Sequence, residues 1–236
     1  MIGLTNTQGS PLASDYSDSI YVRATRKGWP TQSSTAAMAV LIGFAIELAQ
    51  VWHTKPIAEI ESLRQQLDLL PNLVKKVLDM ANSSVSSLAS KLVNARYFML
   101  CGGGPHYAAA CLGGAKIKEL CPIHAMTIPL EEFHHYRSLK PGDPLLLIAP
   151  DETSHQRALD TAEVGRYDGG QIFALVQEGE QEISKVASWV LKLPSVNQLL
   201  APILYSVPLH LFAYHLAIAK FEKGQGYVEA FPEEET

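Results

Sequence analysis

The sequence predicts an α/β fold of three layers, αβα, with helices on both faces of a mostly parallel sheet. Three observations carry that expectation. From residue 95 onward, short apolar runs of strand character alternate with helical segments: "RYFMLC", "IHAMTI", "PLLLIAP", "QIFALV" and "WVLKLP" are the strands. Most of those runs are apolar in succession rather than at every second position, which is how strands covered on both faces read. Finally, with 236 residues, 47% hydrophobic and 18% charged, the chain has the apolar content and the length to cover such a sheet.

Taken in order, residues 2–5, "IGLT", read as a short strand and "NTQGSPLASDYSDS" as a turn-rich connection. "SIYVRA" alternates as a strand does. Ser33, Ser34 or Thr35 can cap the apolar helix that follows, over 34–52. Across 55–80 the apolar residues Ile57, Ile60, Leu63, Leu67 and Leu70 fall at helical spacing. The serine run "NSSVSSLAS" lacks glycine and lies between helical segments, so it reads as a polar helix face rather than a phosphate loop. Helices are expected over 105–121, 153–167 and 197–221, and a short helix or turn at "EEFHHY". The first 52 residues look like the back half of a similar unit: two strands and a long apolar helix. The expected organisation is therefore a partial unit over 1–52, a helical linker over 53–92, a complete unit over 93–222 and an acidic tail over 223–236.

A net charge of −5 and a pI near 5.9 argue against a nucleic-acid partner. Cys101, Cys111 and Cys121 fit no zinc spacing and read as buried thiols of a cytoplasmic protein. The opening "MIGLTNTQGS" has no signal-peptide character. Two stretches, 34–52 and 199–221, have the length of a membrane span. Glu47 interrupts the first, and Pro208, His210 and His215 the second, so buried core helices are expected and no membrane partner. No metal or cofactor is expected.

The candidate chemistry lies in two places. Gly102, Gly103 and Gly104 sit between a strand and a helix, where a dinucleotide fingerprint would sit. The third fingerprint glycine would fall at Tyr107, however, and no acid ends the next strand. A tight turn bringing Gly103 and Gly104 close to a small ligand is one reading, and a loop that needs glycine only to turn is the other. Lys116 and Glu119, three apart, share a helix face. In water such a pair contributes only about 0.2–0.5 kcal/mol. The rest of that helix, "YAAACLGGA", belongs between packed layers, where a buried carboxyl is pushed towards neutrality and suited to moving a proton between adjacent carbons. Lys118 points elsewhere. His134 and His135 diverge by about 100° on a helix and cannot share one task. His106, His124, His210 and His215 take structural or surface roles in this reading.

Together "GGGPHYAAACLGGAKIKELCPIHAM", "EEFHHYRSLKPGDPLLLIAP" and "LLAPILYSVPLHLFAYHLAIAK" resemble the second half of a double sugar-isomerase (SIS) protein. Within that family the likeness is to the isomerase domain of glucosamine-6-phosphate synthase (glutamine–fructose-6-phosphate aminotransferase) and to fructosamine-phosphate deglycases. "TNTQGSPLASDYSDSIYVRA…PTQSSTAAM" resembles the end of the family's first subdomain. The resemblance implies a flavodoxin-like SIS fold, with one complete subdomain plus the C-terminal part of another, so that the chain is incomplete at its N-terminus. It implies a phosphorylated sugar or amino sugar as ligand and a homodimer. It places Glu119 on the catalytic glutamate that moves a proton between C1 and C2. His135 falls on the ring-opening histidine supplied across the dimer, Lys116 on the lysine beside the glutamate, and Gln32, Ser34 and Thr35 on the segment lining the sugar-phosphate pocket.

The chain departs from the family in three respects. No Ser-Gln-Ser-Gly-Glu-Thr loop for the phosphate occurs in these residues. "EKGQGYVEAFPEEET", including Lys223, does not reproduce the synthase tail with its lysine, and no glutaminase domain is present to supply ammonia. The expected function is therefore aldose–ketose isomerisation, or deglycase or aminotransferase chemistry on a 6-phosphate, with Glu119 as base. The alternative is a phosphosugar sensor without catalysis, or an inactive part of a longer enzyme.

Overall fold

The computed structural model describes residues 2–16, 18–25, 31–149 and 153–227, so residues 228–236 of the acidic tail lie outside the described residues. The chain divides into two compact units, 1–69 and 70–236. The division falls inside the long helix α3, next to Pro71, whose missing N–H interrupts the helical hydrogen-bond ladder.

The first unit holds β1 (Gly3–Thr5), α1 (Pro11–Asp15), β2 (Ser19–Tyr21), α2 (Thr31–Val51) and the start of α3 (Ile57–Lys91). Strands β1 and β2 pair in parallel, Gly3 opposite Ser19. Beyond the pairing, the Asn6 side chain imitates a strand: it donates to Ala24 O at 2.9 Å and accepts from Ala24 N at 2.8 Å. Helix α1 replaces part of the expected turn-rich connection. Ser10 caps it by accepting from Ala13 N at 3.3 Å, and Pro11 fills the first turn, where its missing N–H has no cost. Helix α2 begins at Thr31, so Ser33, Ser34 and Thr35 lie inside it rather than capping it, and Thr35 Oγ1 donates back one turn to Thr31 O at 3.1 Å.

Helices α2 and α3 meet through Ile46, Ile60 and Leu63, with Leu67 packed alongside, and Arg64 grips the Glu47 carboxylate with two of its nitrogens. Ile57, at the head of α3, is exposed. The expectation of a buried α2 fails: Ile46 is its single buried residue, because its apolar partners in this unit all lie on one side.

The second unit is built on five strands: β3 (Tyr97–Gly102), β4 (His124–Pro129), β5 (Pro144–Ala149), β6 (Gln171–Gln177) and β7 (Trp189–Leu193). All pair in parallel, in the order β4-β3-β5-β6-β7. This is the flavodoxin-like order, with the strand direction of travel reversing between β3 and β5. Between the strands run α4 (Pro105–Leu120), α5 (Leu130–Tyr136), α6 (His155–Tyr167) and α7 (Glu182–Val186), and α8 (Ala201–Glu222) follows β7. Helix α7 has no counterpart in the sequence reading; Glu180 starts it by accepting from the Ile183 and Ser184 amides.

Alternation along the strands sorts side chains to two faces. Met99, Cys101, Leu145, Leu147, Ile172 and Ala174 face a core shared with Phe133, Ala158, Ala162 and Ile183 of α5, α6 and α7. On the other face, Phe98 meets Phe212 of α8 edge-on at 5.3 Å, and Leu100 lies under α4. Helix α8 is buried over most of its length, as expected for 199–221. Its Lys220, 3% exposed, donates to Val93 O at 2.7 Å and Ala95 O at 3.1 Å, fastening α8 to the turn that precedes β3. The serine run is the polar side of α3, where Ser84 accepts from the Trp189 indole at 3.2 Å while Val85, Leu88 and Ala89 are buried. All three cysteines are free thiols. Cys101 and Cys121 are buried, and burial pushes the Cys121 thiol up to about 11; Cys111 is half-buried rather than buried.

Candidate functional site

Helix α4 runs between α8 and the sheet, and its glycine pair sets the separation. A β-carbon on Gly113 would come within 2.9 Å of Leu209 on α8, and one on Gly114 within 2.5 Å of Thr127 on β4. Neither neighbour could stay in place, so "LGGA" is what lets α4 sit in this narrow gap. One turn further on, Lys116 is buried with its ammonium among packed helices. It donates to Glu119 Oε2 at 2.6 Å. Of the two side chains only 5% of Lys116 but 36% of Glu119 is solvent-accessible. The expectation of a buried acid is corrected on this point. The ammonium is the buried partner, and the carboxylate, on the last turn of α4, reaches towards solvent with one oxygen held. A buried lysine is stable only when paired, so Glu119 is fixed in direction and yet open to an incoming molecule.

The glycine run lies at the other end of the same helix. At 1.5 Å per residue, Gly104 and Glu119 are on the order of 20 Å apart along α4. One hexose phosphate does not span that distance, so the structure does not bring Gly103 and Gly104 together with Glu119. Steric demands account for the run. A β-carbon on Gly102 would meet the His106 backbone at 2.6 Å, and one on Gly103 would meet Leu130 at 2.8 Å and Ser154 at 2.9 Å; Gly104 has φ +52°. His106 is wholly buried, its Nδ1 sharing a hydrogen bond with Gly103 O at 3.2 Å and its ring edge-on to Tyr205.

The paired histidines diverge as their spacing demands. His134 turns inward, 3.1 Å from Thr161 Oγ1, and burial lowers its pKa. His135 is exposed. Helix α5, which carries them, is held at both ends: Arg157 grips Glu131 near its start, and Arg137, in a left-handed conformation at its C-cap, pairs with Asp168. His135 is thus displayed outward from a firmly anchored turn. Gln32, Ser34 and Thr35 lie in the first two turns of α2, within the first unit.

One group near the ion pair, which the sequence reading gives only a structural or surface role, lies closer to the chemistry than its spacing suggests. His210 of α8 has its Nε2 shielded from solvent and hydrogen-bonded to no described residue. Burial and then the Lys116 charge lower its pKa to about 4, against an opposing pull from Glu119. A histidine amid "VPLHLF" gives no spacing signal, because the partner elements are remote in sequence.

The sequence profile of the SIS domain matches residues 91–220, which takes in α4, α5, the whole five-stranded sheet and most of α8. The chain belongs to the SIS family. It is 31% identical over 224 residues to the glutamine–fructose-6-phosphate aminotransferase (isomerizing) of Thermus thermophilus, an alignment covering 92% of this chain and 36% of that protein. To the enzyme of the same name in Thermococcus kodakarensis it is 33% identical over 192 residues, covering 80% of this chain and 31% of the relative. The chain thus spans about a third of the length of these curated relatives. Among solved structures, the C-terminal domain of glucosamine-fructose-6-phosphate aminotransferase from Francisella tularensis superposes with a TM-score of 0.87 at 21% identity, covering 93% of this chain and 63% of that one. Tagatose-6-phosphate ketose/aldose isomerase from Escherichia coli gives 0.66 at 15% identity, covering 99% and 64%. These two likenesses establish the SIS fold expected from the sequence.

Proposed function

We propose that this SIS chain handles a 6-phosphorylated sugar or amino sugar and that Glu119 is the base of an aldose–ketose isomerisation, or of the related deglycase or aminotransferase step. The observation that carries the proposal is the 2.6 Å pairing of a half-open carboxylate with a buried ammonium on the helix matched by the family profile. Glu119 takes the proton from the carbon beside the carbonyl, leaving an enediolate. It returns that proton to the former carbonyl carbon while the hydroxyl proton passes between the two oxygens, so no atom is gained or lost. Lys116 holds the carboxylate in place and offsets the negative charge that develops. Gln32, Ser34 and Thr35 contribute to sugar-phosphate binding in this reading.

His135 serves the ring oxygen or leaving group of the site in a second copy, which makes the working form a cytoplasmic homodimer. Its outward display on α5 supports that role, as does an exposed apolar stripe on α8, Tyr214, Ile218 and Phe221, at helical spacing. A monomer by light scattering would contradict the dimer.

The alternative is a sensor that keeps the pocket segment with Gln32, Ser34 and Thr35 and binds without turning over. Thermal shift and turnover, measured on one preparation across hexose and hexosamine 6-phosphates, separate the two. Stabilisation with turnover supports the enzyme, stabilisation without proton exchange at C2 supports the sensor, and no stabilisation by any of them removes the phosphosugar reading.

A further inference from the structure

The isomerase reading leaves one shielded group beside the Lys116–Glu119 pair without a role. His210 follows Leu209 on α8, and Leu209 is the residue that fills the notch made by Gly113 on α4. That close approach of the two helices brings the imidazole within the field of both Lys116 and Glu119. Its Nε2 is buried and bonded to no described residue. A polar nitrogen left in that state carries a desolvation penalty that a leucine at the same place would not incur. Lys116, for its part, has three N–H donors, of which Glu119 takes one.

We propose that His210 is a positioning residue for Lys116: its ring nitrogen accepts, through one bridging water, a second N–H of the ammonium and fixes Nζ between α8 and the Glu119 carboxylate. The charge state of the ring permits this. Burial and the neighbouring ammonium keep the imidazole neutral at physiological pH, and a neutral imidazole retains one acceptor nitrogen. A protonated ring would repel the ammonium and compete for Glu119. Lysine has a long, freely rotating stem whose ordering is costly; an anchor on each side confines Nζ, and through it the direction of the carboxylate. The catalytic consequence rests on the reading of Glu119 as base. The bridge itself does not.

The test uses the full chain labelled with ¹⁵N. The Lys116 ammonium resonance is identified by its disappearance in Lys116→Met, and its exchange with water is measured in the wild type, His210→Leu and His210→Gln. Exchange should be at least roughly tenfold faster in His210→Leu, the equivalent of one hydrogen bond, and near the wild-type rate in His210→Gln, whose amide oxygen restores an acceptor. Unchanged exchange in His210→Leu, equal acceleration in both variants, or no detectable protection in the wild type would each overturn the proposal. Should His210→Leu not fold, the His210 titration midpoint decides: it rises in Lys116→Met if the ammonium lies across one water from the ring, and an unmoved midpoint overturns the bridge. With a turned-over hexose 6-phosphate, His210→Leu should lower kcat about tenfold with KM within about threefold, and His210→Gln should recover it. If Glu119→Gln leaves proton exchange at C2 intact, the isomerase reading falls and the ammonium measurement still stands. If Glu119→Gln abolishes that exchange while the ammonium ignores His210, this inference alone falls.

Discussion

At its N-terminal end α4 meets three consecutive glycines; at its C-terminal end it carries a lysine and a glutamate three residues apart. Both ends read in the sequence as places where a ligand could sit, and the structure treats them differently. Each of Gly102 and Gly103 is accounted for by an atom that a side chain would strike, and Gly104 by a positive φ. The other end holds a charge that packing alone gives no reason to keep: an aliphatic residue at position 116 would fill the space between α4 and α8 without needing a partner. A steric constraint with a named neighbour accounts for a glycine by itself. The buried ammonium of Lys220 is accounted for by the carbonyls of Val93 and Ala95, whereas that of Lys116 has a half-open carboxylate as its partner, and the proposed proton transfer gives that pairing a use.

Three substitutions sharpen or break this contrast. The largest loss of stability is expected from Gly102→Ala, whose β-carbon meets backbone that cannot step aside. Chemical denaturation should show a loss of about 3 kcal/mol, with the folded fraction retaining its ligand response. Full stability in that variant would break the steric account. A smaller effect, about 1 kcal/mol, is expected for Thr161→Val, which removes the partner of His134 without creating a cavity; α5 should loosen, and amide exchange there should quicken. Smallest in stability is Lys116→Met, at or below about 1 kcal/mol, because Glu119 is open enough to be hydrated when alone. Turnover should nevertheless fall about tenfold or more. A Lys116→Met protein that unfolds while Gly102→Ala does not would reverse the assignment of the two ends.

Much of the second unit was readable in the sequence because its strands are continuous apolar runs and its helices lie between them. All five strands and the long helices fall where the pattern puts them. Helices α1 and α7 were not, since each is five residues long and depends on a cap, Ser10 or Glu180, whose signal is submerged in turn-forming residues. Helices α2 and α8 show the other limit. Both are apolar nearly all round, and sequence alone treats them alike, yet α8 is buried under α4 and the sheet while α2 keeps one buried residue. Burial depends on what the rest of the chain places around a helix, which composition does not encode. At the candidate site, the i,i+3 spacing was enough to pair Lys116 with Glu119. Which of the two would be buried was not, because that depends on packing against elements remote in sequence. That His210, read as structural or surface, lies near this pair was not legible either, since Lys116 and Glu119 are some ninety residues away in sequence.

The claim on which the rest depends is that Glu119 moves a proton at C2. Incubating the chain in D₂O with the hexose or hexosamine 6-phosphate that stabilises it most, and following the C2 proton by NMR, tests this directly. Wild-type protein should wash deuterium into C2, and Glu119→Gln, with an unchanged melting transition, should do so about 10²–10⁴-fold more slowly. Equal rates of exchange in the two proteins would contradict the assignment of Glu119 as the base.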